Sequence, residues 1–269
     1  MIFQTLRSLV FWILFIGQTA ILAIPVGLMS RFAPKSAPWW IVAYWFRSSL
    51  FFLRWIAGVK SEVTGVENIP TEGCLIAAKH QSDWEILALL PVIPKPAFIA
   101  KKELLDIPFF GWAARRFETI RLDRSQGGDA IPLLIEGARE ALGRGCHVVI
   151  FPEGTRKNPL TPPDYRWGTA KLYTSLGVPV VPVALNSGLY WPARSLTLWP
   201  GRAKAKILPP IPPGLTLEAF QARMIETIEQ ESDSMILADL EAGIAGPMTD
   251  TMIARLAETR RPTTSGGVS

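Results

Sequence analysis

The sequence predicts an α/β protein, with a mostly buried sheet flanked by helices and preceded by N-terminal membrane-associated helices. From about residue 60 onward, short apolar runs alternate with segments of helical periodicity, which is typical of helices layered on a buried sheet. Residues 1–60 differ sharply, because they hold six basic residues, no acidic residue and five of the ten tryptophans. A basic, tryptophan-rich, apolar end favours a membrane surface over a nucleic-acid groove.

The N-terminal segment begins with an uncharged run, Leu9–Met29, that lies between Arg7 and Arg31. At 1.5 Å per residue it can cross roughly 30 Å of hydrocarbon. The alternative is a cleaved signal peptide, but the apolar region of such a peptide is usually about 7–15 residues and ends at a small-x-small site. The basic residues after the run predict that its C-terminal side faces the cytoplasm.

A second apolar stretch, Trp39–Ala57, contains Arg47 and Arg54. These two arginines are seven residues apart and share one face of a helix. A helix with a cationic stripe among aromatic side chains suits the plane of the membrane interface, and a second, tilted span is the alternative. We therefore expect a membrane-bound protein (at the inner membrane, if bacterial) with its catalytic domain on the cytoplasmic side.

The predicted domains are membrane-associated helices at 1–59, an α/β domain at 60–245 and a polar C-terminal tail at 246–269. The helix at 129–142 illustrates the periodicity, since its apolar residues fall on one face and Gly145 lies just past its end. In chain order, the predicted strands are 74–78, 97–100, 147–151 and 179–185, and the predicted helices are 83–90, 129–142, 168–176 and 217–240.

Several common chemistries are excluded by what the sequence lacks. Two cysteines cannot form a disulfide scaffold or a four-cysteine zinc site, and we interpret Cys74 and Cys146 as buried, reduced residues. Neither His80 nor His147 has a partner at metal-ligand spacing, so no metal is expected. There is no Walker loop, no Gly-x-Gly-x-x-Gly and no Gly-x-Ser-x-Gly elbow.

The first motif of interest, Lys79-His-Gln-Ser-Asp-Trp-Glu85, directly follows a buried strand. His80 and Glu85 lie about 140° apart on a continuous helix, but they can meet across a strand–turn–helix junction. The carboxylate would then hold the imidazole in one tautomer, as in the acid–base half of a catalytic triad. No nucleophile motif accompanies the pair, so the substrate must bring its own nucleophile. This indicates transfer to an alcohol or amine.

Two other interpretations of this motif stay open. Ser82 and Glu85 have the spacing of a capping box, in which Glu85 would serve the helix and could not fully serve His80 as well. Asp83 is a second possible partner for His80. By contrast, His147 stands at the start of a predicted strand and is interpreted as a structural residue.

The second motif is Phe-Pro-Glu-Gly-Thr-Arg at 151–156, again after a strand. A glycine turn exposes backbone N–H groups, Thr155 adds a hydroxyl, and the guanidinium of Arg156 matches phosphate oxygens. Lys101 and Arg124 lie in two further basic segments, 101–104 and 122–124. Each basic residue alone is ordinary surface decoration, but together they predict cations that converge on a phosphate.

Across roughly residues 60–210, the order and spacing of these motifs resemble the glycerophospholipid acyltransferase family, specifically its lysophosphatidic acid branch. The resemblance implies that His80 is the base and that Glu85 orients it. It also implies that the acceptor's glycerol phosphate is bound by Arg124, Glu153, Gly154, Thr155 and Arg156, with Lys101. Two residues depart from the family pattern: Glu85 stands where Asp is usual, and Lys79 stands where Asn is common.

The function that this resemblance implies is membrane-bound acyl transfer to the sn-2 hydroxyl of lysophosphatidic acid, which gives phosphatidic acid for phospholipid biosynthesis. The donor would be acyl-CoA or an acyl carrier protein, with no metal, cofactor or nucleic acid. One alternative is another acceptor, such as glycerol 3-phosphate, another lysophospholipid or a lyso-aminolipid. A second is a lipid-binding scaffold on an inactive acyltransferase fold, which an intact His80, Glu85 and Arg156 argue against.

Overall fold

The structure is a computed structural model that describes residues 1–32, 39–107, 111, 114, 118–122 and 130–259, apart from the side chains of 30–32, 101, 104 and 130. The strands are β1 (Val59–Thr64), β2 (Leu75–Ala78), β3 (Pro96–Lys101), β4 (Ile120–Leu122), β5 (His147–Ile150), β6 (Val180–Leu185) and β7 (Gly201–Ile207). The helices are α1 (Ile2–Phe32), α2 (Trp39–Phe52), α3 (Trp84–Leu89), α4 (Lys102–Leu105), α5 (Ala130–Gly143), α6 (Gly168–Leu176), α7 (Leu217–Ala242) and α8 (Asp250–Thr259).

The strands form one sheet in the order β1-β7-β6-β2-β5-β3-β4. Strand β2 is central and pairs in parallel with β5 on one side and with β6 on the other. Strand β3 is parallel to β5, whereas β7 is antiparallel to β6. The carboxyl ends of β2, β3, β5 and β6 therefore meet at one edge, where open α/β sheets place their ligand sites.

Both faces of the sheet are covered, as the apolar strand sequences predict. In β2, Leu75 and Ala77 join a core cluster with α5, α6 and the first half of α7. The alternate residues, Ile76 and Ala78, join a second cluster with α3, α8 and the end of α7. The result is a helix–sheet–helix sandwich, which confirms the predicted fold class.

The structure confirms all four predicted strands and all four predicted helices, with ends that differ by a residue or two. Strands β1, β4 and β7 were not predicted. Strand β4 is three residues long, while β1 and β7 interleave Lys, Arg, Ser and Glu with small apolar residues. Strands β1 and β4 are the edges of the sheet, and in β7 buried residues largely alternate with more exposed ones, so these sequences lack the apolar run that marks the central strands.

The first helix is anchored on the α/β domain near its N-terminus. The amide of Gln4 donates hydrogen bonds to the carbonyl oxygens of Ala57 and Leu198, at 2.9 and 2.7 Å. Phe11 is fully buried and meets Trp191 edge to face, with 5.5 Å between the ring centroids. The segment predicted as a separate membrane unit at 1–59 is therefore also packed into the core of the domain.

Farther along the chain, α1 pairs with α2. The Gln18 amide donates to Ser49 Oγ at 2.7 Å, and the indole N–H of Trp45 donates to Thr19 Oγ1 at 2.8 Å. Because rising numbers in α1 match falling numbers in α2, the two helices are antiparallel. Residues Ile2–Met29 are long and apolar enough to cross a membrane, with a mean hydropathy of 2.2, and most of that stretch is not buried by the protein.

Part of the segment predicted as a polar tail at 246–269 is helical. Helix α8 occupies Asp250–Thr259 and buries Met252 and Leu256 against the core cluster beside α7. Arg255 adds an ion pair to Asp233 of α7 at 2.8 Å. Met252 and Leu256 are four residues apart, which places them on one face of a helix, but the polar composition of the segment favoured the prediction of a loose tail.

His147 is a structural residue, as interpreted from the sequence. It is buried, and its Nδ1 and Nε2 atoms lie 2.7 and 2.9 Å from the carbonyl oxygens of Pro94 and Pro70. We expect His147→Leu to lower the free energy of unfolding by roughly 1–3 kcal/mol, because two buried carbonyls lose their partners. Thermal unfolding of the purified variant checks this, with activity per folded molecule unchanged; an unaltered melting temperature would contradict the assigned role.

Candidate active site

The two residues at the centre of the first motif are in contact. His80 is the second residue after the end of β2, and Glu85 lies in the first turn of α3. Glu85 Oε2 lies 3.0 Å from His80 Nδ1, with Glu85 fully buried and the His80 side chain 17% exposed. A carboxylate at this distance accepts from Nδ1–H, which leaves the lone pair of Nε2 available as a base.

Glu85 is itself held by three hydroxyl and amide donors. Its Oε1 accepts from the Ser82 backbone N–H and the Ser82 hydroxyl, both at 2.8 Å. The hydroxyl of Ser187, just past β6, donates to the same oxygen. The capping contact and the histidine contact therefore coexist: the Ser82 N–H reaches both carboxylate oxygens, and Oε2 contacts His80 Nδ1 as well. The expectation that Glu85 could not serve both was wrong.

Asp83 does not pair with His80. Its Oδ2 lies 2.6 Å from Arg156 Nη1, and the two side chains are 44% and 39% exposed. This ion pair joins the first motif to the second at the surface of the domain. In the structure, the carboxylate that contacts His80 is therefore Glu85 and not Asp83.

Residues of the second motif, and Lys157 directly after it, contact His80 from the side of β5. The ring of Phe151 stacks on the His80 imidazole, with 4.2 Å between centroids and 24° between planes. The Lys157 backbone N–H donates to the carbonyl of His80 at 2.8 Å. These contacts follow from the sheet order, since β5 is the neighbour of β2.

Glu153 occupies a different place from the one predicted. The resemblance implied a substrate contact, but the side chain is 1% exposed and lies beneath the site. Its Oε2 accepts from the backbone N–H of His80 at 2.7 Å, and its Oε1 lies 3.3 Å from Lys79 Nζ. Burial raises the pKa of Glu153, while the Lys79 charge and the His80 N–H lower it. Glu153 therefore supports the histidine rather than facing a ligand.

Of the remaining predicted phosphate ligands, some are seen at the surface and others lie outside the described part of the protein. Gly154 turns the chain in the left-handed region, with φ of 66°, and Thr155 and Arg156 beyond it are exposed. Lys101 ends β3 at the same edge of the sheet, but its side chain lies outside the described part of the protein. Arg124 also lies outside the described residues.

The sequence analysis missed three contributors to this site. Ser187 braces Glu85, Phe151 stacks on His80, and Lys79 contacts Glu153. Phe151 is the last residue of the predicted strand 147–151 and Ser187 lies two residues past the predicted strand 179–185, which was the available signal. The contact of Lys79 depends on the tertiary arrangement and has no local signature.

Neither cysteine serves as a nucleophile here. Cys74 and Cys146 are free and buried. Burial raises the pKa of Cys74 to about 12 and also raises the pKa of Cys146. Since the thiolate is the reactive form, both thiols are inert near neutral pH.

Comparison with known proteins gives a consistent result. A model of the Acyltransferase family matches residues 60–186. The 1-acyl-sn-glycerol-3-phosphate acyltransferase of Pseudomonas aeruginosa is 33% identical over 238 residues, which cover 87% of this chain and 90% of that protein. The human 1-acyl-sn-glycerol-3-phosphate acyltransferase alpha is 30% identical over 209 residues, which cover 76% and 71%.

The fold is shared with a solved structure. The crystal structure of the 1-acyl-sn-glycerophosphate acyltransferase from Thermotoga maritima superposes with a TM-score of 0.71 and covers 86% of this chain and 97% of that one, at 23% identity. Fold and sequence together define an acyltransferase. The chain belongs to the glycerophospholipid acyltransferase family, in the branch of the 1-acyl-sn-glycerol-3-phosphate acyltransferases.

Proposed function

We propose that this acyltransferase moves a fatty acyl group from acyl-CoA or an acyl carrier protein to the sn-2 hydroxyl of lysophosphatidic acid. The observation that carries the proposal is the contact of His80 Nδ1 with the buried Glu85 carboxylate at 3.0 Å. This arrangement prepares a base but provides no covalent nucleophile. The acceptor hydroxyl therefore supplies the attacking oxygen.

The proposed reaction has one proton carrier. His80 Nε2 takes the proton of the acceptor hydroxyl as its oxygen attacks the thioester carbonyl, and Glu85 stabilises the resulting imidazolium. The tetrahedral intermediate collapses by breaking the carbon–sulfur bond. The imidazolium then returns its proton to the leaving thiolate, and the products are an ester and a free thiol.

Arg156 is the proposed ligand of the acceptor phosphate, with Thr155, Lys101 and Arg124 as further contributors. Its guanidinium is exposed at the surface near the His80 segment, where it pairs with Asp83. A planar fork can bind two phosphate oxygens at once, which fixes orientation as well as charge. The sn-2 hydroxyl would then be directed toward Nε2.

Replacing the planar guanidinium of Arg156 by the ammonium group of a lysine tests this assignment. We expect Arg156→Lys to raise the acceptor KM roughly tenfold, equivalent to one charged hydrogen bond, with little change in kcat. Steady-state kinetics with varied acceptor and saturating donor measure this effect. Arg139→Lys, at an exposed position on α5, is the matched control. Wild-type acceptor kinetics in Arg156→Lys would mean that Arg156 is only a solvated charge.

A panel of acceptors tests the proposed substrate. The purified protein is supplied with labelled acyl-CoA and, in separate reactions, lysophosphatidic acid, glycerol 3-phosphate, another lysophospholipid or a lyso-aminolipid. We expect the highest kcat/KM with lysophosphatidic acid. A higher value for another acceptor would replace the proposed substrate, while activity with none would reject acyl transfer itself.

We further propose that the α1–α2 hairpin inserts into one leaflet of a membrane. The start of α1 is bonded to the domain through Gln4, and α2 leads directly into the buried segment Leu53–Ala57 before β1. Both ends of the hairpin therefore lie on the same side as the active site. This geometry supports insertion from one side of the membrane over a single crossing of the bilayer.

Salt extraction distinguishes insertion from electrostatic attachment. At 1 M salt the Debye length is roughly 3 Å, so surface charges no longer hold a protein on a membrane, whereas burial of apolar side chains persists. We expect the full-length protein to stay with sedimented membranes under these conditions. Release by salt alone would contradict insertion.

A paired substitution locates the inserted surface. Ile13 and Ile16 on α1 are 62% and 60% exposed. We expect Ile13→Ser/Ile16→Ser to weaken vesicle binding, because less apolar area enters the lipid. Ile253→Ser, at a 52% exposed position on α8, is the control and should bind as the wild type does. Equal binding by both variants would place the contact elsewhere.

A further inference from the structure

A buried charge cluster that the proposed mechanism does not use lies beneath His80. Lys79, between β2 and His80, has a side chain that is 2% exposed. Its Nζ lies 2.5 Å from Glu229 Oε1 on α7 and 3.3 Å from Glu153 Oε1. The Tyr165 hydroxyl donates to the same Glu229 oxygen at 2.6 Å.

Stability alone does not account for a charge in this place. An ammonium group that leaves water loses hydration free energy, which its partners offset only with good geometry. Apolar side chains of similar volume are often as stable as a buried ion pair. A role other than stability should therefore be visible in the groups that the cluster contacts.

Its contacts lead directly to the histidine. Glu229 on α7 contacts the Lys79 ammonium, which contacts one oxygen of Glu153. The other oxygen of Glu153 accepts from the His80 backbone N–H at 2.7 Å. A side chain on α7 is thus connected to the backbone of the proposed base through two ion pairs and one hydrogen bond.

The Lys79 ammonium also affects whether the Glu153 carboxyl group is ionised. Burial raises the pKa of Glu153, and the nearby charge of Glu229 raises it too, while Lys79 lowers it. Without Lys79, the carboxylates of the buried Glu153 and the partly buried Glu229 would have no cation between them, and a proton on Glu153 would weaken its hold on the His80 N–H. A charge-assisted hydrogen bond is roughly twice as strong as a neutral one.

We propose that Lys79 is a positioning residue: its ammonium, held in place by Glu229, keeps Glu153 ionised and in place, so that the backbone of His80 holds Nε2 in line with the acceptor hydroxyl. The inference rests on the proposed role of His80 as the base. It gives a function to the lysine that stands here where the family commonly has asparagine.

The first test is Lys79→Met, which removes the ammonium and keeps most of the volume. We expect kcat to fall roughly 10- to 100-fold, the range for a base displaced by a fraction of an ångström to an ångström. The KM values for donor and acceptor should stay within about twofold, because neither substrate touches Lys79. Rates are divided by the fraction of folded protein, measured by near-UV circular dichroism.

The second test separates positioning from stability. In Lys79→Met/Glu229→Gln, one of the two carboxylates that lose their cation is replaced by an amide, so we expect the melting temperature to recover in part. The kcat should stay low, because Glu153 still lacks its cation. If Lys79→Met alone does not fold, this double variant provides the kinetic test. In a Glu153→Gln background, Lys79→Met should cause little further loss of kcat, since both act through the same hydrogen bond.

The control is Lys206→Met, the same substitution in another lysine that pairs with a glutamate of α7, Glu231, at 2.8 Å. Its kcat should equal that of the wild type. Recovery of kcat together with stability in the double variant, or an unchanged kcat in folded Lys79→Met, would overturn the proposal and leave Lys79 a structural residue. Failure of the proposed function is recognised separately, by full activity in His80→Ala.

Discussion

His80→Ala is expected to lower kcat by about 10²- to 10⁴-fold, the usual contribution of a positioned general base. The residue lies in a turn after β2, with its ring 17% exposed and stacked on Phe151. Its removal takes away the only group in the described site that can accept the hydroxyl proton, while the backbone contacts of His80 remain. Substrate binding should change little, because the phosphate contacts lie on other residues.

The measurement is kcat and both KM values for purified variants in detergent, with folding checked by thermal unfolding. His147→Leu is the matched control, because it replaces the other histidine at a site where both ring nitrogens face backbone carbonyls. That variant should lose stability and keep its rate per folded molecule. Substantial residual activity in His80→Ala would remove the residue from the mechanism.

Glu85→Gln is expected to reduce kcat by roughly 10²-fold or more, because an amide in this place favours the wrong histidine tautomer. Three donors converge on Glu85 Oε1, so the amide oxygen must take that side. The amide nitrogen then faces His80 Nδ1 and donates to it. The ring proton moves to Nε2, where a lone pair was needed, and the base is lost although the side chain keeps its shape.

Asp83→Asn is the comparison, because Asp83 was the rival partner and instead contacts Arg156. It should leave kcat within a few-fold of wild type, and any effect should fall on the acceptor KM. The kcat ratio of the two variants decides the assignment. A larger loss in Asp83→Asn than in Glu85→Gln would return the orienting role to Asp83.

The parts of the fold that are buried on both faces of the sheet were predictable from the sequence. Strands β2, β5 and β6 are covered on both faces, so their sequences are continuous apolar runs with a single structural interpretation. Strands β1 and β7 were not predictable in this way, because polar residues interrupt their sequences and they pair with each other across a large distance in the chain. Helix α8 was missed because its two buried residues, Met252 and Leu256, stand in a mostly polar segment.

The candidate site was likewise predictable only where the residues involved are close in the sequence. The meeting of His80 and Glu85 was predictable, because a strand–turn–helix junction places residues five apart within reach. The role of Glu153 was not, since its carboxylate is directed under His80 by the pairing of β5 with β2. Residues that act on the histidine from beneath, such as Lys79 and Ser187, are found only when the sheet order is known.

The most direct measurement determines which position of the acceptor receives the acyl group. Purified full-length protein is given 1-acyl lysophosphatidic acid and acyl-CoA labelled in the acyl chain, and the product is then cleaved with an sn-2-specific phospholipase. We predict labelled phosphatidic acid whose label is released entirely by that cleavage, one thiol formed per acyl group transferred, and a rate reduced by at least about 10²-fold in His80→Ala. Label at another position, thiol release without acyl transfer, or an unchanged rate in His80→Ala would contradict the account.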